Sequence, residues 1–231
     1  VSIPFSFVIA KLIGVDHKFT IFYLICLLGG IVLAIIIPRI PPLSKIPDTY
    51  DEISGKQINE DIPEGVSKAQ WALNLAGHRA KDASINDLLN SGLHVYSSMF
   101  LDLIPIVMAW GTIVLILVEF TPIFNIISVP FEWYLNVLGI EGAKEVAPTA
   151  LVGFADMYIP PLMLANFPIE RTRFIMGAAT LLQIIYMTEV GLIVLKSRVL
   201  VNVGHLFVVF IERTILAIPL VTILTNLLVT F

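Results

Sequence analysis

Residues 19–38 form the sequence feature that most constrains the fold of this chain. The run FTIFYLICLLGGIVLAIIIP contains no charged side chain, and Lys18 and Arg39 stand at its two ends. A bilayer core about 30 Å thick is crossed by roughly 20 apolar residues in an α-helix. The run therefore predicts a transmembrane helix, and the pair Gly29-Gly30 within it predicts close approach by a second helix.

The composition of the chain extends this interpretation to an integral membrane protein. Of 231 residues, 57% are hydrophobic and 14% are charged, whereas soluble domains carry about 25% charged residues. The net charge of −4 and the lack of a Lys/Arg-rich run argue against a nucleic-acid partner. The single Cys26 excludes an internal disulfide and a multi-Cys metal site, and the scattered histidines predict no metal site either.

Changes in polarity divide the sequence into three regions. Residues 1–38 contain a first hydrophobic segment and the transmembrane helix, and the apolar opening is expected to be the tail of a segment that begins upstream. Residues 39–97 are rich in Pro, Asp, Glu and Lys, which predicts a polar loop in water. Within that loop, SKAQWALNLAGHRAK and SINDLLNSG predict two short amphipathic helices. Residues 98–231 return to an apolar composition and are expected to form a membrane domain.

Three further segments of the third region are long and apolar enough to predict membrane spans, namely 98–124, 171–198 and 203–231. The sequence therefore predicts an all-α membrane protein with about four transmembrane helices and one broken segment. Basic residues flank both ends of the spans, so their distribution does not decide the orientation in the membrane.

The broken segment is the apolar run EVAPTALVGFADMYIPPLMLANF at 145–167. Pro148 and the pair Pro160-Pro161 each oppose a continuous helix, and Gly153 lies between them. Broken backbone persists at membrane depth only where it is buried in protein or lines a wet cavity. Short, interrupted hydrophobic segments of this kind indicate the substrate site of secondary transporters. We expect a re-entrant helical hairpin over about residues 142–168.

Polar side chains in and around this hairpin are candidates for contact with a solute or ion. Asp156 lies inside the hairpin, Glu145 at its entrance and Asn166 near its exit. A carboxylate at the membrane centre costs at least about 2.5–3.5 kcal/mol, so it faces a protein interior or a water path. For Asp156 the alternative is a helix cap or a partner for an arginine.

The span predicted at 171–198 carries a second polar stripe, since Thr180, Gln183, Tyr186 and Glu189 recur at every third position. In the final span, Arg213 needs a carboxylate partner if it lies within the membrane, and the candidates are Glu189, Glu212 and Asp156. We expect Glu212 and Arg213 to form a structural ion pair. The complete candidate set for solute or ion binding is Glu145, Pro148, Gly153, Asp156, Asn166, Gln183, Tyr186 and Glu189.

The block at 145–198 resembles the YjiH family of bacterial membrane proteins, and the likeness extends from about residue 20 to the end. It is carried by GFADMYIP at 153–160, TRF at 172–174 and YMTEVG at 186–191. That family belongs to the gate-domain, or nucleoside-recognition, group. The group includes the membrane part of FeoB-type ferrous-iron transporters, concentrative nucleoside transporters and the spore maturation proteins.

The resemblance implies a bacterial inner-membrane protein in which re-entrant hairpins gate the passage of a small polar solute that is nucleoside-like, amino-acid-like or dipeptide-like. It also implies pairing with a second gate-domain subunit or an unseen N-terminal half, in a homo- or hetero-oligomer. Nucleoside transporters of the group keep a Glu-Ala-Pro near the bound nucleoside. Here residues 145–148 read Glu-Val-Ala-Pro, with one residue inserted.

Two other functions remain open from the sequence. A non-transporting assembly or scaffold protein, similar to the spore maturation proteins, requires a dry interior with its acids in ion pairs. An intramembrane aspartyl protease is disfavoured because Ala155 stands where GxGD requires glycine, and because Asp102, near a membrane edge, is a poor second acid. With no other catalytic motif present, the sequence favours a transport protein that is not an enzyme and that needs no cofactor.

Overall fold

The computed structural model describes residues 2–46, 66–82, 84–98, 100–101, 104–191, 194 and 203–231, and every regular element in those ranges is helical. This confirms the all-α class. The described residues form two compact units, Val1–Lys45 with Ile106–Phe231 as the first and Ile46–Pro105 as the second. Our expectations for the polar loop at 47–65, for Asp102 and for the end of the span at 171–198 lie outside the described residues.

The α-helices follow one another as α1 (Ile3–Leu12), α2 (Phe19–Ile36), α3 (Lys68–Asp82), α4 (Ile85–Ser98), α5 (Ile104–Phe120), α6 (Ile123–Ile127), α7 (Val129–Val137), α8 (Ala143–Val152), α9 (Ile159–Leu164), α10 (Glu170–Gln183) and α11 (Val203–Leu228). A 3₁₀ turn extends each end of α2, and a π-helical turn at Met187–Gly191 follows α10. Helices α3 and α4 form most of the described part of the second unit.

Two of these helices are long and apolar enough to cross a membrane, judged by length and composition alone. One is Asp16–Arg39, which is α2 with its two flanking turns, and its mean hydropathy is 2.8. The other is α11, with a mean hydropathy of 2.1. They coincide with the spans predicted at 19–38 and 203–231. Helix α5 has 17 residues and is shorter than the segment predicted at 98–124.

The centre of the first unit is formed by α2, α10 and α11, which pack against one another. The predicted close approach at Gly29-Gly30 is present, because a Cβ atom added to Gly29 would lie 2.6 Å from Leu182 Cδ1. The rings of Phe22 and Phe174 meet edge to face, with centroids 5.2 Å apart. The missing side chain of Gly29 leaves room for the Leu182 side chain between α2 and α10.

The two amphipathic helices predicted in the polar region are present as α3 and α4. Ser67 and Ser84 begin them, and each side-chain oxygen accepts a hydrogen bond from a backbone N–H of the first turn. The second helix is longer than the predicted segment SINDLLNSG, whose last residue, Gly92, lies inside α4. A glycine within a helix costs only about 1 kcal/mol relative to alanine, and the apolar pattern continues beyond it.

Candidate functional site

The segment at 142–168 folds as a helical hairpin, in which α8 and α9 pack against each other and residues 153–158 form the turn. The expectation that this run is not one helix is confirmed, but Pro148 does not cause the break. Pro148 lies within α8, which continues to Val152. The chain turns instead at Gly153, where a residue without a side chain allows a close contact described below.

The two ends of the hairpin meet at the beginning of α10. Thr172 Oγ1 donates a hydrogen bond to Glu141 O at 2.9 Å, and Arg171 Nη1 donates one to Gly139 O at 3.1 Å. The hairpin therefore enters and leaves at the same end of the first unit.

An aromatic contact reinforces this closure. The ring of Phe167 covers Gly142, where an added Cβ atom would lie 2.2 Å from Phe167 Cζ. Gly142 has φ of 72°, a conformation that favours glycine. Arg173 Nη1 donates to Phe167 O at 2.8 Å. These contacts fix the base of the hairpin while its turn lies at the far end of α8.

The continuous helix predicted over 171–198 is interrupted. Helix α10 ends at Gln183, residues 184–186 are unwound, and the π-helical turn begins at Met187. Ile184 has φ of 59°, which is rare for a β-branched residue and costs of order 1–3 kcal/mol. No proline or glycine accounts for this interruption, so contacts with other elements must hold it.

The carboxamide of Gln183 joins the hairpin, α10 and α11 at the point of interruption. Its Nε2 donates to Ala150 O at 2.9 Å and to Thr214 Oγ1 at 3.0 Å. Its Oε1 faces Gly153, where an added Cβ atom would lie 2.2 Å away. The side chain is 1% exposed, and its Oε1 has no hydrogen-bond partner among the described residues. An acceptor in this state requires an explanation, because buried polar atoms are normally paired.

Arg213 binds the last turn of the interrupted helix. Its Nε and Nη2 donate to Leu182 O at 3.2 and 3.0 Å, and this carbonyl has no partner in its own helix. The ion pair that we predicted between Arg213 and Glu212 is therefore not formed. Adjacent residues on a helix point in directions about 100° apart, and the guanidinium is directed at α10 instead.

Two more hydrogen bonds define the unwound segment. Tyr186 Oη donates to Thr180 O at 2.9 Å, which returns the ring to the helix that has just ended. The backbone N–H of Met187 donates to Phe154 O at 2.7 Å. The turn of the hairpin and the restart of the helix are thus joined through their backbones.

Asp156 is buried in the turn of the hairpin. One of its carboxylate oxygens accepts a hydrogen bond from the backbone N–H of Tyr158 at 2.7 Å. This side-chain-to-backbone bond two residues ahead stabilises the turn just before α9. This bond is a contact within the turn and not the helix cap that we held as an alternative for Asp156, because the residue at the N-cap position of α9 is Tyr158.

The structure brings together only part of the predicted set. Gly153, Gln183 and Tyr186 lie where the hairpin meets the interrupted helix, and Pro148 is buried in α8 below them. Glu145 and Asn166 are exposed in the described chain. Glu145 lies in the first turn of α8, where a carboxylate interacts favourably with the helix dipole. Glu189 lies in the π-helical turn, and its side chain is outside the described residues.

Sequence reasoning missed three participants, namely Arg213 as a helix cap, Thr214 as a partner of Gln183, and the carbonyl of Ala150. The signal for Arg213 was present, because an arginine in an apolar helix must find an acceptor. A carbonyl acceptor leaves no trace in the sequence. Within the part of the chain that the structure describes, no group of three His, Cys, Asp or Glu side chains could hold a metal ion.

A charged cluster lies where the base of the hairpin meets the start of α2. Lys18 Nζ lies 2.8 Å and His17 Nε2 lies 3.1 Å from Glu170 Oε1. Lys18 Nζ also lies 4.2 Å from the centroid of the Phe231 ring. The hydrogen bond from Lys18 lowers the pKa of Glu170 below its ordinary value, and partial burial opposes part of that shift. The cluster marks one end of α2, α10 and α11 as polar.

Comparison with known proteins gives one informative relative. The chain is 42% identical over 226 residues to a protein of Alkalihalophilus pseudofirmus whose curated name is "uncharacterized protein". The match covers 97% of this chain but 49% of the relative, so the chain spans about half the length of the protein it matches. No protein-family model and no solved structure matches the chain.

Proposed function

We propose that the chain is the gate-forming part of a multi-pass transport protein of the bacterial inner membrane, and that it allows a small polar solute to pass. In this proposal α8 and α9 form a re-entrant hairpin, α2 and α11 span the membrane, and the segments around α5 and α10 complete about four crossings. The likeness to the YjiH family at 153–160, 172–174 and 186–191 supports the proposal.

The main support for this proposal is that two interrupted segments contact each other around the buried side-chain amide of Gln183. The turn of the hairpin bonds to the restart of the interrupted helix through Phe154 and Met187. Beside that bond, Gln183 contributes an acceptor oxygen that has no partner among the residues the structure describes. Irregular backbone within a membrane domain is typical of the binding sites of transporters, where unpaired polar groups are available to a solute.

The lengths of the elements support a position within the membrane. Helix α8 has 10 residues and α10 has 14, which correspond to about 15 and 21 Å at 1.5 Å per residue. With the charged cluster at Glu170 on one surface of a 30 Å core, the turn of the hairpin and the end of α10 lie about halfway to two-thirds across. A solute arriving there lies partway across the membrane, away from both membrane surfaces.

The proposed cargo is a nucleoside-like, amino-acid-like or dipeptide-like solute, and neither a cofactor nor an enzymatic step is required. The proposed partner is a second gate-domain subunit or the other half of a longer polypeptide. The relative of twice the length supports a second half.

Uptake into sealed membrane vesicles from cells that overproduce the protein tests this proposal. Vesicles are supplied with radiolabelled nucleosides, amino acids and dipeptides, and the Gln183→Leu variant is compared with Gln70→Leu. Gln70 lies on the exposed surface of α3, so the second variant makes the same chemical change outside the site. We expect accumulation of at least one solute, which Gln183→Leu abolishes and Gln70→Leu preserves.

Equal uptake by both variants would remove Gln183 from the site. No uptake of any solute, combined with a turn of the hairpin that does not react with water-borne reagents, would favour a scaffold protein instead.

A further inference from the structure

Helix α4 presents an apolar stripe that is exposed among the residues described in its own unit. The six residues Ile85, Leu88, Leu89, Leu93, Val95 and Tyr96 are between 56% and 75% exposed. At 100° per residue they fall within about 160° of the helix circumference, and all polar residues from Asn86 to Ser97 fall within the opposite arc. Such complete separation of apolar and polar faces is typical of a helix that lies between two environments.

We infer that α4 lies flat on the surface of the lipid bilayer, with this stripe inserted at the boundary between headgroups and acyl chains. The inference rests on the membrane placement proposed above but adds a second lipid contact, made by the polar region rather than by the gate. In this inference the stripe contacts lipid and not a groove of another protein.

Chain continuity supports a lipid occupant. Ser98 ends α4 and Ile104 begins α5, and six residues reach at most about 20 Å. A short segment of chain therefore connects the end of α4 to a helix that, in the proposed placement, enters the bilayer. At that same end, the rings of Tyr96 and Phe100 lie 4.6 Å apart. Aromatic side chains are enriched at membrane interfaces, where a tyrosine places its ring in the apolar layer and its hydroxyl near water.

The charge of α4 determines how it binds. Apart from the hydroxyl of Tyr96, its stripe contains no polar group that would fix the register against a protein partner, and Asp87 is the one Asp, Glu, Lys or Arg residue of the helix. Interfacial helices bind through buried apolar area and through attraction of basic residues to anionic lipids. Because α4 has no Lys or Arg, its attachment depends on area, and we expect it to be insensitive to anionic lipid and to salt.

Nitroxide labels on adjacent residues test the inference in the full chain reconstituted into vesicles. In a Cys26→Ala background, Leu89→Cys places the label in the stripe and Asn90→Cys places it on the polar face. A third label at Ile31→Cys, on the exposed side of α2, reports whether the chain is inserted in the bilayer at all. The measurement is the accessibility of each label to oxygen, which concentrates in lipid, and to a water-soluble nickel chelate.

We expect the label at position 89 to favour oxygen over nickel severalfold more than the label at position 90, with and without phosphatidylglycerol and at low and high salt. Equal nickel accessibility at both positions would overturn the inference, because α4 would then lie in water. Low accessibility to both agents at position 89 would also overturn it, because a protein would cover the stripe. A difference between positions 89 and 90 that appears only with phosphatidylglycerol would contradict attachment through buried apolar area. If position 31 also favours nickel, the membrane placement itself fails, whereas failure at position 89 alone leaves the proposed gate intact.

Discussion

The backbone N–H of Met187 donates a hydrogen bond to the carbonyl oxygen of Phe154 at 2.7 Å, although two helices, α9 and α10, separate the two residues in the sequence. This bond joins the turn of the hairpin to the point at which the interrupted helix restarts. Around it, Gln183 and Arg213 each donate to a carbonyl at the end of a helix, at Ala150 and Leu182 respectively. Two of these interactions hold the hairpin against the interrupted helix, and the third holds the end of α10 against α11.

Adding one methyl group at Gly153 tests how tightly these segments fit. The Cβ atom of Gly153→Ala would lie 2.2 Å from Gln183 Oε1, so the amide must leave its two partners or the hairpin must shift. Overpacking of this kind costs about 1–3 kcal/mol. We expect a lower melting temperature in detergent and reduced uptake. Gly111→Ala in α5 is the control, because nothing lies within 4 Å of its Cβ atom.

Replacing Gln183 by leucine removes its hydrogen-bond donor but keeps a side chain of similar volume. In Gln183→Leu the carbonyl of Ala150 loses its donor inside the protein, which costs about 1–3 kcal/mol. Thr214 still donates to Phe210 O and is less affected. We expect a fall in melting temperature that Gln70→Leu does not produce. A stability equal to that of the unmodified chain would mean that Gln183 does not join the two segments.

Arg213 is expected to stabilise the interrupted helix as a helix cap rather than as one partner of an ion pair. Arg213→Met leaves Leu182 O without its donor and should cost about 1–3 kcal/mol, and Arg213→Lys should restore part of this loss. Arg39→Met is a matched control, since Arg39 donates to the exposed carbonyl of Ile35, which water can replace. Thermal unfolding of the three variants gives the comparison. Equal effects of Arg213→Met and Arg39→Met would contradict the capping role.

The contribution of Glu170 to stability should depend on pH. Because Lys18 lowers the pKa of Glu170 in the folded protein, the pair stabilises the fold at and above the ordinary pKa of a Glu carboxyl. That stabilisation is lost as pH falls through the lowered folded-state pKa. The pair is partly exposed, so its contribution is below about 1 kcal/mol and is reduced by salt.

The difference in melting temperature between the unmodified chain and Glu170→Gln measures this contribution. We expect a small difference near neutral pH that disappears in acid and in high salt. A difference that grew on acidification would show that the carboxylate is destabilised by its surroundings.

Sequence patterns predicted those elements that are determined by residues close together in the chain. The uncharged run at 19–38 predicted the long helix around α2, and the prolines and Gly153 predicted that the segment at 142–168 folds as two helices. The stripe at every third residue selected Gln183 and Tyr186, which do lie at the junction. The missing side chain of Gly29 predicted that a second helix packs closely at this position, and α10 does so.

The interruption at 184–186 could not be predicted in this way. Its sequence, Ile184-Ile185-Tyr186, contains no helix breaker, and the unwound backbone is held by bonds from residues distant in the chain. Sequence patterns also selected Glu145 and Asn166, which are exposed. A polar residue near a proline has the same sequence signature whether it faces a binding site or the surface. Arg213 illustrates the same limit, since its carbonyl partner has no sequence signature.

The central claim is that the turn of the hairpin lies partway across the membrane beside water. Reaction of Ala155→Cys with a membrane-impermeant thiol reagent, in sealed vesicles and a Cys26→Ala background, tests it most directly. Ile31→Cys and Asn86→Cys serve as lipid-facing and water-facing references. We predict that Ala155→Cys reacts from one side of the membrane only, more slowly than Asn86→Cys and faster than Ile31→Cys. A rate equal to that of Asn86→Cys would put the turn outside the bilayer, and a rate as low as that of Ile31→Cys from both sides would contradict a hydrated gate.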